Sequence, residues 1–204
     1  MDLLHDGPRD APVTLVLAHG AGAGMDHPFL NTVAQGLGDA GVHVVRFEFP
    51  YMARRRETGK RRPPDRMPKL EACAREVLAQ VGGPVALGGK SMGGRVAARL
   101  AAEPQVRGVL VFGYPFHPPG KLEKLRLAPL ASPPVPVLVL QGERDPFGTV
   151  DQVATYELGE QVRVDWLPDG DHSLKPRKRS GHTLDGNLAL AVERGAAFLH
   201  GLPA

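Results

Sequence analysis

The sequence predicts an open, doubly wound α/β sheet of about six mostly parallel strands, with helices on both faces and no cap domain. Three observations carry this. Several runs of strand length, such as VTLVLA at residues 13–18, are apolar without alternation, as strands buried on both faces must be. Stretches of helical spacing separate these runs. Glycines and prolines punctuate the boundaries between them.

The elements follow in order. Residues 13–18 form the first expected strand, and residues 29–40 a helix stopped at Gly41. Residues 42–47 form the second strand, followed by a long loop to about Pro68 that is rich in Pro, Gly and Arg. A helix is expected over 69–81, a strand over 85–88 and a helix over 92–103. Strands at 109–112, 135–140 and 162–167 complete the sheet, with helices near 150–158 and 184–199. Residues 1–12 read as a short extra strand or a loose end. At 204 residues, with no internal repeat, the chain is expected to form one domain over 1–204.

Composition narrows the class. With 42% hydrophobic and 23% charged residues the chain resembles an ordinary globular protein. No apolar run approaches the roughly 20 residues that span a bilayer. Cys73 is the one cysteine, which excludes an internal disulfide and a cysteine-rich zinc site. The first residues show neither a basic nor an apolar leader pattern, so the expected location is cytoplasmic. Isoleucine is absent and arginine outnumbers lysine 18 to 7, the mark of a GC-rich, bacterial genome.

The stretch GGKSMGGR, residues 88–95, raises the question of chemistry. A phosphate-binding loop would need glycine where Pro84 stands, and would turn the strand Val85–Leu87 into loop. Gly89-Lys90-Ser91-Met92-Gly93 instead fits G-x-S-x-G between a strand and a helix, a nucleophile elbow with Ser91 at its tip. A serine nucleophile needs a base, an orienting acid and oxyanion donors. Asp145, in LQGERDPFG, follows one strand, and His172, in LPDGDHSL, follows the next. Ser91, Asp145 and His172 therefore share the carboxyl edge of the sheet in the chain order this chemistry uses. The glycines of LAHGAGAG let the amide of Ala21 approach, and with the amide of Met92 it would form the oxyanion hole. That stretch is not a dinucleotide fingerprint, since Met25 and His27 stand where glycine is required. Each residue also has a plainer reading. Asp145 could cap a turn, Glu143 could supply the carboxylate, and His172 could be a surface histidine. His19 reads as a loop brace and Cys73 as packing.

On the motifs LAHGAGAGMDHPF, FEFPYM, GKRRPP, GGKSMGGR, GYPFHPPGK, QGERDPFG and GDHSL, the chain resembles the α/β-hydrolases. More narrowly, it is similar to the branch related to testis-expressed protein 30 and to subunit 3 of the NSL acetyltransferase complex, near the dienelactone hydrolases. The resemblance implies Ser91, Asp145 and His172 as the triad, with Ala21 and Met92 at the oxyanion hole. It also implies an ester hydrolase with no metal or organic cofactor. Dienelactone hydrolases use a cysteine nucleophile, so their substrate does not carry over. The chain is short for the superfamily and, on this reading, lacks its first antiparallel strands.

Charge suggests the substrate. Seven basic and two acidic residues lie between Arg54 and Arg66, and Lys175, Arg177, Lys178 and Arg179 form a second basic run. Both follow strand ends on the edge of Ser91, so the expected partner is a small ester, anionic if these segments steer it, or an anionic surface; the plainer reading is that they only keep the chain soluble. Arg61 and Arg62 are candidates for binding it, and Tyr114, Phe116 and His117 for lining the acyl pocket. The competing class is a catalytically quiet scaffold that holds an acidic partner or nucleic acid on the basic rim. No nucleic-acid module is recognisable, and with 5% aromatics base stacking is poorly supplied.

Overall fold

A computed structural model describes residues 2–203. The chain forms a seven-stranded sheet in the order β1-β3-β2-β4-β5-β6-β7. Six strands are parallel: β2 (Thr14–Ala18), β3 (His43–Phe47), β4 (Val85–Lys90), β5 (Val106–Phe112), β6 (Val137–Gly142) and β7 (Val162–Leu167). The helices between them are α1 (Pro28–Asp39), α2 (Pro50–Thr58), α3 (Met67–Val81), α4 (Met92–Arg99), the single turns α5 (Ala128–Ala131) and α6 (Val150–Val153), and α7 (Leu184–His200). No helix among the described residues is long and apolar enough to cross a membrane.

Successive residues of each strand point to opposite faces, so one continuous apolar run serves two cores. Val16, Ala18, Val45, Phe47, Val109, Val111, Val137 and Val139 pack under α3 and α4. Leu15, Leu17, Val44, Leu110, Phe112, Leu138 and Leu140 pack under α1 and α7. The doubly wound α/β class and the absence of a cap follow the expectation.

Four details differ from it. The seventh strand, β1 (Leu3–Asp6), pairs antiparallel with β3, so part of the antiparallel edge is present. It is four residues long and mostly unburied, and the Asp6 carboxylate anchors it to Arg46 at 2.9 and 3.1 Å. Of the segment 1–12, Met1 lies outside the described residues. The long loop after β3 begins as α2, whose arginines give no apolar period. Only Tyr51 and Met52 of α2 are buried, and Arg56 ties it to Glu48 and Asp26. β5 starts three residues earlier than expected, at Val106, and Gly108 within it leaves room for Leu202 where a side chain would collide. The helix expected over 92–103 loses regularity after Arg99, ahead of Pro104, which disfavours helical geometry in the residue before it.

The parallel register aligns the carboxyl ends. Ala18 sits beside Phe47 and Gly89, Lys90 beside Phe112, and Gly142 beside Leu167. The loops after β2, β4, β6 and β7 therefore emerge on one edge.

Candidate active site

Ser91 stands between β4 and α4 with φ 53° and ψ −108°, a left-handed backbone that a side chain adopts at a cost of about 1–3 kcal/mol. The turn is held from both sides. The Ser91 amide donates to the Phe112 carbonyl at 3.1 Å, and the Ser91 carbonyl accepts from the Arg95 amide at 3.0 Å. Gly93 lets the helix start press against β2, since a Cβ there would lie 2.6 Å from the Ala18 carbonyl oxygen.

His172 Nε2 lies 2.9 Å from Ser91 Oγ, and His172 Nδ1 lies 2.7 Å from Asp145 Oδ2. With the Nδ1 proton donated to the carboxylate, Nε2 is left to accept from the hydroxyl. Asp145 is fully buried. Its Oδ2 also accepts from Gln141 Nε2 at 2.9 Å and its Oδ1 from the Phe147 amide at 2.9 Å, so the carboxylate cannot rotate away. Phe147 lies against the His172 ring at 4.2 Å between centroids.

Glu143, the alternative the sequence leaves open, and the two carboxylates nearest His172 in the chain find other partners. Glu143 accepts from the Asp169 amide at 2.7 Å. Asp171 caps the amides of Ser173 and Lys175. Asp169 is held down to about 2 by its hydrogen bonds to Arg177 and so braces the His172 loop. Arg177, read from sequence as free basic rim, is thus occupied. His19 is buried and neutral, its pKa lowered by desolvation. It donates from Nδ1 to the Gly20 carbonyl at 2.7 Å and accepts from the Phe49 amide at 3.0 Å, a brace as expected. Cys73 packs in the core, where burial pushes its thiol up to about 11.

The glycine loop after β2 is fixed from below. Tyr51 Oη of α2 donates to the carbonyls of Gly20 and Ala21, at 3.2 and 3.0 Å. A trans peptide points its N–H opposite to its C=O, so anchoring the Gly20 carbonyl turns the Ala21 N–H the other way. Neither the Ala21 nor the Met92 amide has an acceptor among the described residues.

Two cavities meet at Ser91. One, of about 480 Å³, is lined by the glycine loop, Phe29, Leu30, Lys90, Phe147 and His172. The other, of about 420 Å³, is lined by Met67, Leu70, Met92, Arg95, Arg126 and Phe147. We call them the histidine side and the arginine side. A third hollow of about 400 Å³ places Arg61 and Arg62, with Arg55, next to Ala21 and Gly22. Tyr114, Phe116 and His117 line none of the three, which corrects the expected acyl pocket. All three are buried: Tyr114 meets Phe116 edge-on and donates to the Arg126 carbonyl at 2.8 Å, while His117 meets Gln152 at 3.2 Å. Their strand-end position was legible; the inward turn of the chain was not.

A family model described as an alpha/beta hydrolase domain matches residues 11–200. The chain belongs to the α/β-hydrolase family. Solved α/β-hydrolase structures share its architecture. The dienelactone hydrolase of Anabaena variabilis superposes with a TM-score of 0.74 at 20% identity, over 98% of this chain and 92% of that one. A serine hydrolase without lid from Xanthomonas campestris gives 0.69 at 24% identity, over 100% and 90%. A serine hydrolase homologue from Coxiella burnetii gives 0.69 at 19% identity, over 97% and 90%.

Sequence reading missed five residues of this α/β-hydrolase site. Lys90 was weighed only as part of a phosphate loop, yet its ammonium donates to the His172 carbonyl. Arg95 lies one helical turn beyond Ser91, a spacing that was available. Tyr51 stood inside a quoted motif without a role. Phe29 likewise ends a quoted motif without a role, and Arg126 carried no signal.

Proposed function

We propose that the chain is a serine hydrolase that cleaves small carboxylic esters, anionic ones among them. Ser91 Oγ attacks the acyl carbon and His172 Nε2 takes its proton. The amides of Ala21 and Met92 hold the oxyanion, a contribution worth about 2.7–4 kcal/mol for one such donor. The C–O bond to the alcohol then breaks, and the alcohol leaves with the proton from His172. Water, activated by the same imidazole, releases the acid and frees Ser91. Asp145 keeps the tautomer and steadies the imidazolium.

The observation that carries this reading is the unbroken chain from Asp145 through His172 to Ser91, at 2.7 and 2.9 Å, at the junction of two cavities. The structural neighbours described as serine hydrolases and esterases support the same class. Arg55, Arg61 and Arg62 beside the glycine loop support anionic substrates. A quiet scaffold has no need of that aligned chain or of two free amides beside it. On its motifs we place the protein in the branch of testis-expressed protein 30 and the NSL subunit. On its single cysteine and its arginine-rich, isoleucine-free composition we place it in a bacterial cytoplasm.

The test is labelling by a fluorescent fluorophosphonate. Wild type is expected to label, and Ser91→Ala and His172→Ala are not. A folded wild type that fails to label sinks the reading.

A further inference from the structure

Several arginines near the site are neutralised. Arg56 lies 2.6 Å from Glu48 and 2.9 Å from Asp26, Arg99 pairs with Glu71, and Arg177 lies 2.5 Å from Asp169. Arg55, Arg61 and Arg62 form no ion pair among the described residues either, but they line the separate hollow; Arg95 and Arg126 differ in place. Neither forms an ion pair among the described residues, and both line the arginine side beside Ser91. The Arg126 guanidinium donates weakly to the Pro115 carbonyl at 3.4 Å, and its remaining N–H groups have no acceptor among the described residues. Arg95 is half-buried, and burial together with Arg126 and Arg99 holds its guanidinium below the usual arginine range. One acidic group, Asp65, lines the same cavity. Its Oδ1 is held by the Lys69 ammonium at 2.8 Å and its Oδ2 by the Tyr51 amide at 2.9 Å. Two like charges thus share a cavity wall with no counter-charge of their own, an arrangement that an anion relieves.

Position says which part of a substrate reaches them. The leaving alcohol must take its proton from His172, which lines only the histidine side. The acyl chain is left with the arginine side. Arg95 stands about 6 Å along the helix axis from Ser91, and helical side chains lean toward the N-terminus, here back toward Ser91.

We infer that Arg95 and Arg126 form a carboxylate subsite at the end of the acyl cavity, and that the preferred substrates are half-esters of short dicarboxylic acids. The two guanidiniums grip the free carboxylate while Ser91 attacks the ester carbonyl at the other end. Hydrolysis releases the dicarboxylate and the alcohol. This rests on the serine-hydrolase reading, which it deepens by naming the acyl group.

The test compares the p-nitrophenyl half-ester of glutaric acid with p-nitrophenyl valerate, which has the same chain length, using the Ser91→Ala protein as background. Wild type is expected to favour the glutaryl ester in kcat/KM on the order of 10- to 100-fold, the scale of a charge-assisted hydrogen-bond pair. Arg95→Met and Arg126→Met, each checked for folding by circular dichroism, should bring that ratio near or below one. A wild-type ratio at or below one overturns the subsite, as does a ratio that both variants leave intact. Valerate turnover and fluorophosphonate labelling report on the hydrolase reading separately. Should both fail, titration of glutarate onto the Ser91→Ala protein, with and without Arg95→Met, still decides the matter. Arginine-dependent binding supports the subsite. Binding that ignores Arg95, no binding, or tighter binding of inorganic phosphate overturns it.

Discussion

On one side of Ser91 the wall is Phe29, Leu30 and glycine backbone, and its one cation, Lys90, is engaged by the His172 carbonyl. On the other side the wall carries Arg95 and Arg126, which face no carboxylate of their own. The two spaces are similar in volume, so size does not distinguish what they accept. What differs is whether a buried cation already has a partner. Lys90 acts on the protein by steadying the histidine loop, whereas Arg95 and Arg126 are left to act on a ligand. Counting basic residues along the chain misses this. The densest run, Arg54–Arg66, supplies Arg56 to a double ion pair, and the second run supplies Arg177 to Asp169.

The contrast can be broken from the centre outward. Asp145→Asn removes the acceptor that fixes the histidine tautomer, on which both sides depend. The expected loss in kcat is about 10⁴-fold, and equal for glutaryl and valeryl esters. A loss confined to one ester would mean that Asp145 serves a wall rather than the histidine.

Lys90→Met tests the engaged cation. It removes a charge-assisted bond to the His172 carbonyl, so kcat should fall about 10-fold for both esters. It should also change stability with a defined sign. Burial lowers the Lys90 ammonium from 10.5 to about 8, so between those values the unfolded chain binds more protons than the folded one. Wild-type stability relative to Lys90→Met must therefore rise as pH climbs from about 8 to 10.5, and stay level below that window. Urea unfolding of both proteins across that range checks it, and a falling difference would contradict the burial.

Phe29→Ala is the mildest probe. It removes apolar wall from the histidine side, so kcat/KM for esters of bulky apolar alcohols should change about 3- to 10-fold. The glutaryl-to-valeryl preference should not move. If it did, the alcohol and acyl sides would be wrongly assigned.

How much of this the sequence showed depends on the range of the forces involved. The strands were legible because burial on both faces forces unbroken apolar runs, as in β2 and β6. The elbow was legible because Ser91 needs small neighbours within two positions. Asp145 and His172 followed from strand ends and chain order. β1 was legible only as one of two alternatives for residues 1–12, because four half-exposed residues carry little pattern. α2 was hidden because ion pairs to Glu48 and Asp26, not an apolar stripe, hold it in place. The inward turn of Tyr114 and Phe116 and the pairing state of each arginine depend on contacts distant in sequence, which no local pattern encodes.

Tyr51 gives the glycine loop a direction as well as a position. Its hydroxyl grips the Gly20 and Ala21 carbonyls. Released from that grip, the peptide between Gly20 and Ala21 would be free to turn over. A half-rotation would replace an N–H with a carbonyl oxygen, and the proposed oxyanion hole would repel the charge it is meant to hold. One phenol, on a helix that the sequence pattern concealed, thus sets the polarity of the site.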